Sequence, residues 1–219
     1  MNKLFIALIA SSMLFASCSG EEKKDDKKEK KEKKEKKEPK TEACTYRVDE
    51  NKITVGFTAY KFAQPNKKGV NGRFEVIVVQ NNLPSEDPMM AASGISFEIP
   101  VAELYTGDGS RDKKIKESFF GTMANTDVIS GVVKSVEGDQ VTIELKMNDI
   151  SYDIKATQDI KGDKITLNSE ILTDNWNGQD AIAALNKVCE ANHKTDGGES
   201  VLWPDVTLKI EGTLIKECN

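Results

Sequence analysis

Cys189 and His193 stand four residues apart within Gln179 to His193, a stretch of helical spacing, so both side chains would share one helical face. That geometry could offer two ligands to a metal. His193 is the only histidine in the chain, however, and no Cys-x-x-Cys pair accompanies it, so the sequence reads as metal-free, with Cys189 structural and His193 solvated or capping. Arg111-Asp112 opens a second helical stretch, where a guanidinium suits phosphate and a helix start favours anions. The alternative role of that pair is an ion pair from loop to sheet that fixes the helix. Lys61 and Arg73, near strand ends, are the other cations that would reach an anionic head group. Serines are scattered and no phosphate-cradling glycine loop occurs, so the reading is not an enzyme, with no catalytic residues and no cofactor.

The elements that must position these residues are mostly strands. Ile53, Val55, Phe57 and Ala59 alternate with polar or small residues, the mark of a half-buried strand. Val70 to Val79 continues with Phe74, Val76 and Val78 in phase, and Gly94 to Ile99 is a short strand after a polar loop, 81–93. A meander follows over 127–136, 141–147, 150–156 and 165–172, broken by the hairpin turns Gly138-Asp139, Asn148-Asp149 and Gly162-Asp163. Asp205 to Lys216 is the last strand, with Val206, Leu208, Ile210 and Leu214 in phase.

Eight antiparallel strands can close into a barrel with room for one apolar ligand. The expected fold is therefore all-β, an eight-stranded antiparallel lipocalin-like barrel with two inserted short helices; a β-sandwich is the alternative. One helix is Arg111 to Phe120, with Ser110 able to cap it and with Ile115 and Phe119 on one face beside Phe120. The other is Gln179 to His193, with Ala181, Ile182, Leu185, Val188 and Cys189 at helical spacing. Phe57, Phe74, Phe97, Phe119, Phe120, Met123 and Trp176 would line a cavity or fill a core, since walls and cores are both apolar. In a closed barrel of even strand number the first and last strands are neighbours, which favours a disulfide between Cys44 and Cys218, although Cys189 could take either partner.

The first 43 residues read as targeting and tether. Lys3 precedes an apolar run of 12 residues, Leu4 to Phe15, shorter than the roughly 20 that span a bilayer. The run ends in Ala16-Ser17-Cys18, which resembles a bacterial lipobox: residues 1–17 would be a signal peptide and Cys18 the lipidated residue, a membrane partner through its acyl chains. Ser19 after that cysteine points to the outer membrane of the cell envelope, facing the periplasm or, if the early acidic residues signal export, the cell surface. From Glu21 to Ala43 there are 11 lysines and nine acidic residues but nothing to bury, so 18–43 is a solvated tether. Removing Lys3 and the tether's charges from the chain's 31 basic and 36 acidic residues leaves 19 and 27 in 44–219, a net charge of −8. That acidic balance excludes nucleic acid as a partner. It leaves room for an alternative in which a solid barrel meets another envelope protein.

The pattern from Cys44 to Cys218 resembles the YceI-like family, in its lipoprotein branch. Tyr46, Val48 and Asp49, the run Phe57-Thr58-Ala59-Tyr60-Lys61-Phe62, Gly69-Val70, Gly72-Arg73-Phe74, Thr106-Gly107, Arg111-Asp112 and Phe119-Phe120 carry the resemblance. It implies an extended lipocalin-like barrel whose apolar tunnel holds a polyisoprenoid chain, such as an isoprenoid quinone or a polyprenyl phosphate. The sequence departs from the family pattern at Glu50-Asn51-Lys52, where many members carry a histidine, and in the added helix that bears Cys189 and His193.

Overall fold

The computed structural model describes residues 43–219. The expected signal peptide, the expected lipidation site Cys18 and nearly all of the expected tether lie outside those residues. The described residues form eleven strands in one antiparallel, strongly curled sheet: β1 Cys44–Val48, β2 Thr54–Lys61, β3 Lys68–Phe74, β4 Val78–Gln80, β5 Ser96–Pro100, β6 Leu104–Tyr105, β7 Val128–Glu137, β8 Gln140–Met147, β9 Ile150–Lys161, β10 Lys164–Leu172 and β11 Leu202–Cys218. Their order is β4-β5-β7-β8-β9-β10-β11-β2-β3-β6, with β1 paired to the far half of β11. The architecture is thus the expected all-β, lipocalin-like one. Its hydrogen-bonded path stays open between β4 and β6, where the chain itself crosses from β3 to β4 and Glu75 N–H donates to Glu103 O at 3.1 Å.

β11 is the organising strand. Its residues 205–213 pair with β10 on one edge. On the other edge β2 pairs with residues 202–211 and β1 with 214–218. Periodicity from Ile53 onward did not reveal β1 as a separate strand. Asp49 makes the break: its carboxylate accepts from Asn51 N–H, capping a single turn at Glu50–Lys52, while its own N–H stays on Thr213 O at 2.7 Å. Cys44 falls opposite Cys218 in this register and the two are joined as a disulfide. The bond therefore closes β1 onto β11 rather than closing an eight-stranded ring, and Cys189 stays a free, buried thiol.

The expected strand over 70–79 divides. Phe74 is buried, but Val76 and Val78 face outward at 42% and 43% exposure, while Ile77 and Val79 face the lumen. The irregular residues between β3 and β4 shift the inward phase by one position, a slip that period-two reading cannot see. The hairpins do form where expected: Asn148 and Asp149 both take positive φ, 51° and 57°, as a tight two-residue turn between right-twisted strands requires. Asn148 also receives Ala124 N–H on its Oδ1 and donates from Nδ2 to Trp176 O, tying two distant loops to that turn.

The first inserted helix starts earlier than expected. Asp108, not Ser110, caps it, accepting from Ser110 and Arg111 N–H, and α1 runs over Gly109–Lys114. It then widens into a π-turn over Ile115–Phe119, in which Phe120 N–H reaches back to Ile115 O. With more residues per turn, Ile115, Phe119 and Phe120 share a face that a regular helix would divide. The second helix breaks at Cys189 into α2, Gln179–Val188, and α3, Glu190–His193; Ala181, Leu185 and Cys189 are buried, but Val188 is 47% exposed and leaves the expected face.

Because β1 holds the N-terminal end of the domain to β11 through few pairs, the covalent bond should matter. Replacing Cys44 and Cys218 by Ser is expected to lower unfolding stability by about 2–4 kcal/mol. Urea unfolding of the oxidised protein and of the double variant measures the difference; equal midpoints would show that β1 is held by packing alone.

A candidate lipid tunnel and its basic vestibule

Inward residues of the curled sheet leave two abutting chambers. The lower one, about 120 Å³, has a wall almost wholly of aliphatic groups, among them Ile53, Ile77, Val79, Ile95, Ile143 and Leu167, with Phe97 the one aromatic. The upper one, about 140 Å³, is walled by five rings, Phe57, Phe74, Phe119, Phe120 and Trp203, together with Leu and Ile side chains of β5, β8, β10, β11, α2 and the π-turn. Val55, Ile99, Leu145 and Leu208 line both, so the chambers share a waist. Each is comparable to an engineered apolar cavity of ~150 Å³ that stays dry and binds benzene.

Two glycines shape this wall. In the strand register Phe57 lies opposite Gly72 and Phe97 opposite Gly131. A Cβ at either glycine would overlap the facing ring. The rings can lie across the backbone of the next strand only because no side chain is there, which lays them along the wall. The upper rings interlock: Phe57 with Phe74 at 5.8 Å, Phe74 with Phe120 at 6.4 Å, Phe119 with Phe120 at 4.9 Å between centroids.

The lower end is capped by the 81–93 loop. Ser85 and Tyr46 exchange backbone hydrogen bonds, Ala91 and Ala92 are buried, and Gln158 on β9 donates to Met89 O at 3.0 Å. The upper end opens into a polar vestibule of about 310 Å³, which shares Ala59, Ile115, Leu185 and Leu202 with the upper chamber. Lys61, Arg111, Lys114, Asn192, Cys189 and His193 stand around it. Lys61 Nζ donates to Asn192 O at 2.8 Å and lies 4.6 Å from the Phe62 ring centre. Arg111 and Asp112 do not pair with each other; both grip Thr106, Arg111 through Nε to Oγ1 at 2.8 Å and Nη2 to the carbonyl at 3.0 Å, Asp112 by accepting Thr106 N–H and Oγ1–H. That arrangement fixes the start of α1 and uses only part of the guanidinium.

His193 Nδ1 is 2.9 Å from Asn186 Oδ1. The same oxygen accepts Ser200 Oγ–H while Asn186 Nδ2 donates to Ser200 O, so Nδ1 is the donor and the neutral ring keeps its proton there. Burial, then the charges of Lys61 and Lys114, push the His193 pKa down to about 4. Burial and the neighbouring Lys68 and Arg111 lower that of Lys61 as well.

Of the expected wall residues, Phe57, Phe74, Phe97, Phe119 and Phe120 do line the chambers. Met123 and Trp176 do not: both are core, and Trp176, 0% exposed, donates from Nε1 to Leu145 O at 3.0 Å and meets the Tyr152 ring edge-on. Among the expected cations, Lys61 and Arg111 reach the vestibule, but Arg73 points outward, bonded to Glu75 at 2.7 Å and stacked on Tyr105. Lys114 and Trp203 were missed; Lys114 lies on the helix predicted at 111–120, and Trp203 precedes the strand expected to begin at Asp205. Cys189 and His193 share the vestibule, and among the described residues no group of three or more possible metal ligands forms.

The YceI-like domain family matches residues 46–214, so the chain belongs to that family. In structure it resembles a polyisoprenoid-binding domain from Saccharophagus degradans implicated in plant cell wall breakdown, at 15% identity and TM-score 0.51, covering 81% of this chain and 99% of that one. It likewise resembles Burkholderia cenocepacia BcnA, at 20% identity and TM-score 0.50, covering 77% and 99%. Among curated proteins, none matches the sequence.

Gly72→Ala should turn the Phe57 ring into the upper chamber and reduce uptake of an apolar fluorescent probe several-fold, with the fold retained; unchanged uptake would show that the ring has another resting place. Lowering the pH from about 6.5 to about 4 should destabilise the protein, because the unfolded chain takes up a proton at His193 that the folded one refuses. The full contribution is at most about 3 kcal/mol. In His193→Gln the loss of stability over that pH range should shrink, as followed by thermal unfolding; an identical pH profile would place the titration elsewhere.

Proposed function

We propose that this protein is a membrane-anchored envelope lipoprotein that binds or carries an isoprenoid-type lipid, an isoprenoid quinone or a polyprenyl phosphate, inside its barrel. The observation that carries the reading is the paired apolar chambers, covered below by the 81–93 loop and continued above by a polar mouth. Side chains leave about 260 Å³ unfilled in the two chambers together. At about 24 cal/mol per Å³, a core built without that space would be more stable by roughly 6 kcal/mol. Space kept at such a cost along an unbroken apolar path suits a flexible, branched hydrocarbon chain. The polyisoprenoid-binding domain of S. degradans, which has the same fold, supports this choice of ligand class.

The lipobox-like Ala16-Ser17-Cys18 and the Lys/Glu tether support attachment to the outer membrane through lipid on Cys18, on the periplasmic side or the cell surface. The almost wholly apolar lining of the two chambers suits holding a lipid rather than altering it.

Native mass spectrometry of the protein purified from its natural host should show the folded domain with one added mass, released by organic solvent as a polyisoprenoid. Protein that carries no extractable lipid, from cells in which it is lipidated and folded, would overturn the reading.

A further inference from the structure

The polar vestibule of this acidic domain gathers cations. Residues 44–219 carry a net charge of −8, yet Lys61 from β2 and Arg111 and Lys114 from α1 face one another across it. Among the described residues none of the three makes an ion pair; Lys113, beside them in sequence, turns away to Glu117. The one carboxylate among the lining residues, Asp108, caps α1 through the Ser110 and Arg111 N–H groups and also offsets part of the Arg111 and Lys114 charge. Cys189 and His193 complete the far wall, and Lys68 adds a further positive charge near Lys61. Lys61, Lys68, Arg111 and Lys114 against that single carboxylate leave the vestibule net positive, which favours a further anion among them.

Donors remain for such an anion. Lys61 gives one N–H to Asn192 O and keeps two; Arg111 gives two of its five to Thr106 and keeps three; among the described residues Lys114 makes no hydrogen bond or ion pair. His193 presents Nε2, its Nδ1 being held by Asn186. We propose that the vestibule is an anion site for a phosphate group, with Lys61, Lys114 and the free edge of Arg111 as its donors and His193 as a proton acceptor beside it. Leu185, Cys189, Asn192 and His193 come from α2, α3 and the break between them, so the site draws on the added helix as well as on the barrel. Its position at the upper chamber's opening makes it fit the head of a lipid monophosphate, and in that form the inference rests on the lipid-carrier reading; free phosphate has the same chemistry. A bound phosphate brings negative charge beside His193, which favours its protonated ring, so phosphate binding takes up a proton at mildly acidic pH.

The sole histidine makes the test clean, since its ring resonances report on this site alone. The full domain is titrated with farnesyl phosphate, with farnesol and with inorganic phosphate, following ring shifts of His193 against pH and affinities by calorimetry. Farnesyl phosphate should bind at least about ten-fold more tightly than farnesol and should raise the pH at which His193 titrates. Lys114→Gln should remove about ten-fold of the farnesyl phosphate affinity and leave farnesol unchanged. If inorganic phosphate alone moves His193 as far and binds as tightly, the site serves free phosphate; if it needs the chain, it serves a lipid head. Equal affinity for farnesol and farnesyl phosphate, with His193 unmoved by either or by inorganic phosphate, would overturn the anion site. If neither farnesol nor farnesyl phosphate binds but inorganic phosphate still shifts His193, the tunnel reading fails and the vestibule site stands.

Discussion

Hydrogen bonding along both edges of β11 is the constraint on which the domain depends. A 17-residue strand that pairs with β10 on one side and with β2 and then β1 on the other must bend to keep all three partners, and that bend curls the sheet. Gly212 sits where the partner changes from β2 to β1, and a side chain there would press on Ile165. Once the sheet is curled, alternate residues of every long strand point at one another, and their lengths decide how much of the interior is filled.

They do not fill it. β-Branched and Leu side chains from β5, β7, β8, β9 and β10 close around the lower chamber, while Phe97 there and Phe57 above are laid along the wall by the missing side chains of Gly131 and Gly72. The same glycines that weaken a strand entropically serve here by keeping the lumen wide. At the top, the π-turn turns Ile115, Phe119 and Phe120 inward together, and α2 adds Ile182 and Leu185, so the roof is apolar inside and cationic at its rim.

Much of this was legible in the residues. Period-two patterning located seven of the strands to within a few residues, and turn pairs such as Asn148-Asp149 marked the hairpins because only certain residues accept their backbone. The phenylalanines were recognisable as interior, but their division into wall and core was not: Trp176 and Phe57 have similar apolar character, and only packing shows that one is fully enclosed and bonded to Leu145 while the other faces a void. The slip after Phe74 was invisible because both phases of 74–79 carry apolar residues. Arg73 illustrates a different limit, since a cation near a strand end can turn to either face, and one residue of register decides which. Lys114 was hidden among neighbouring lysines whose solvated ends carry no positional signal.

The central claim is a single continuous apolar path from the capped lower end to the vestibule. Structure determination of the protein isolated with lipid from its natural host tests it directly. The account predicts chain density running through both chambers and passing the waist formed by Val55, Ile99, Leu145 and Leu208. A waist closed by those side chains, with density confined to the vestibule or the outer surface, would contradict it.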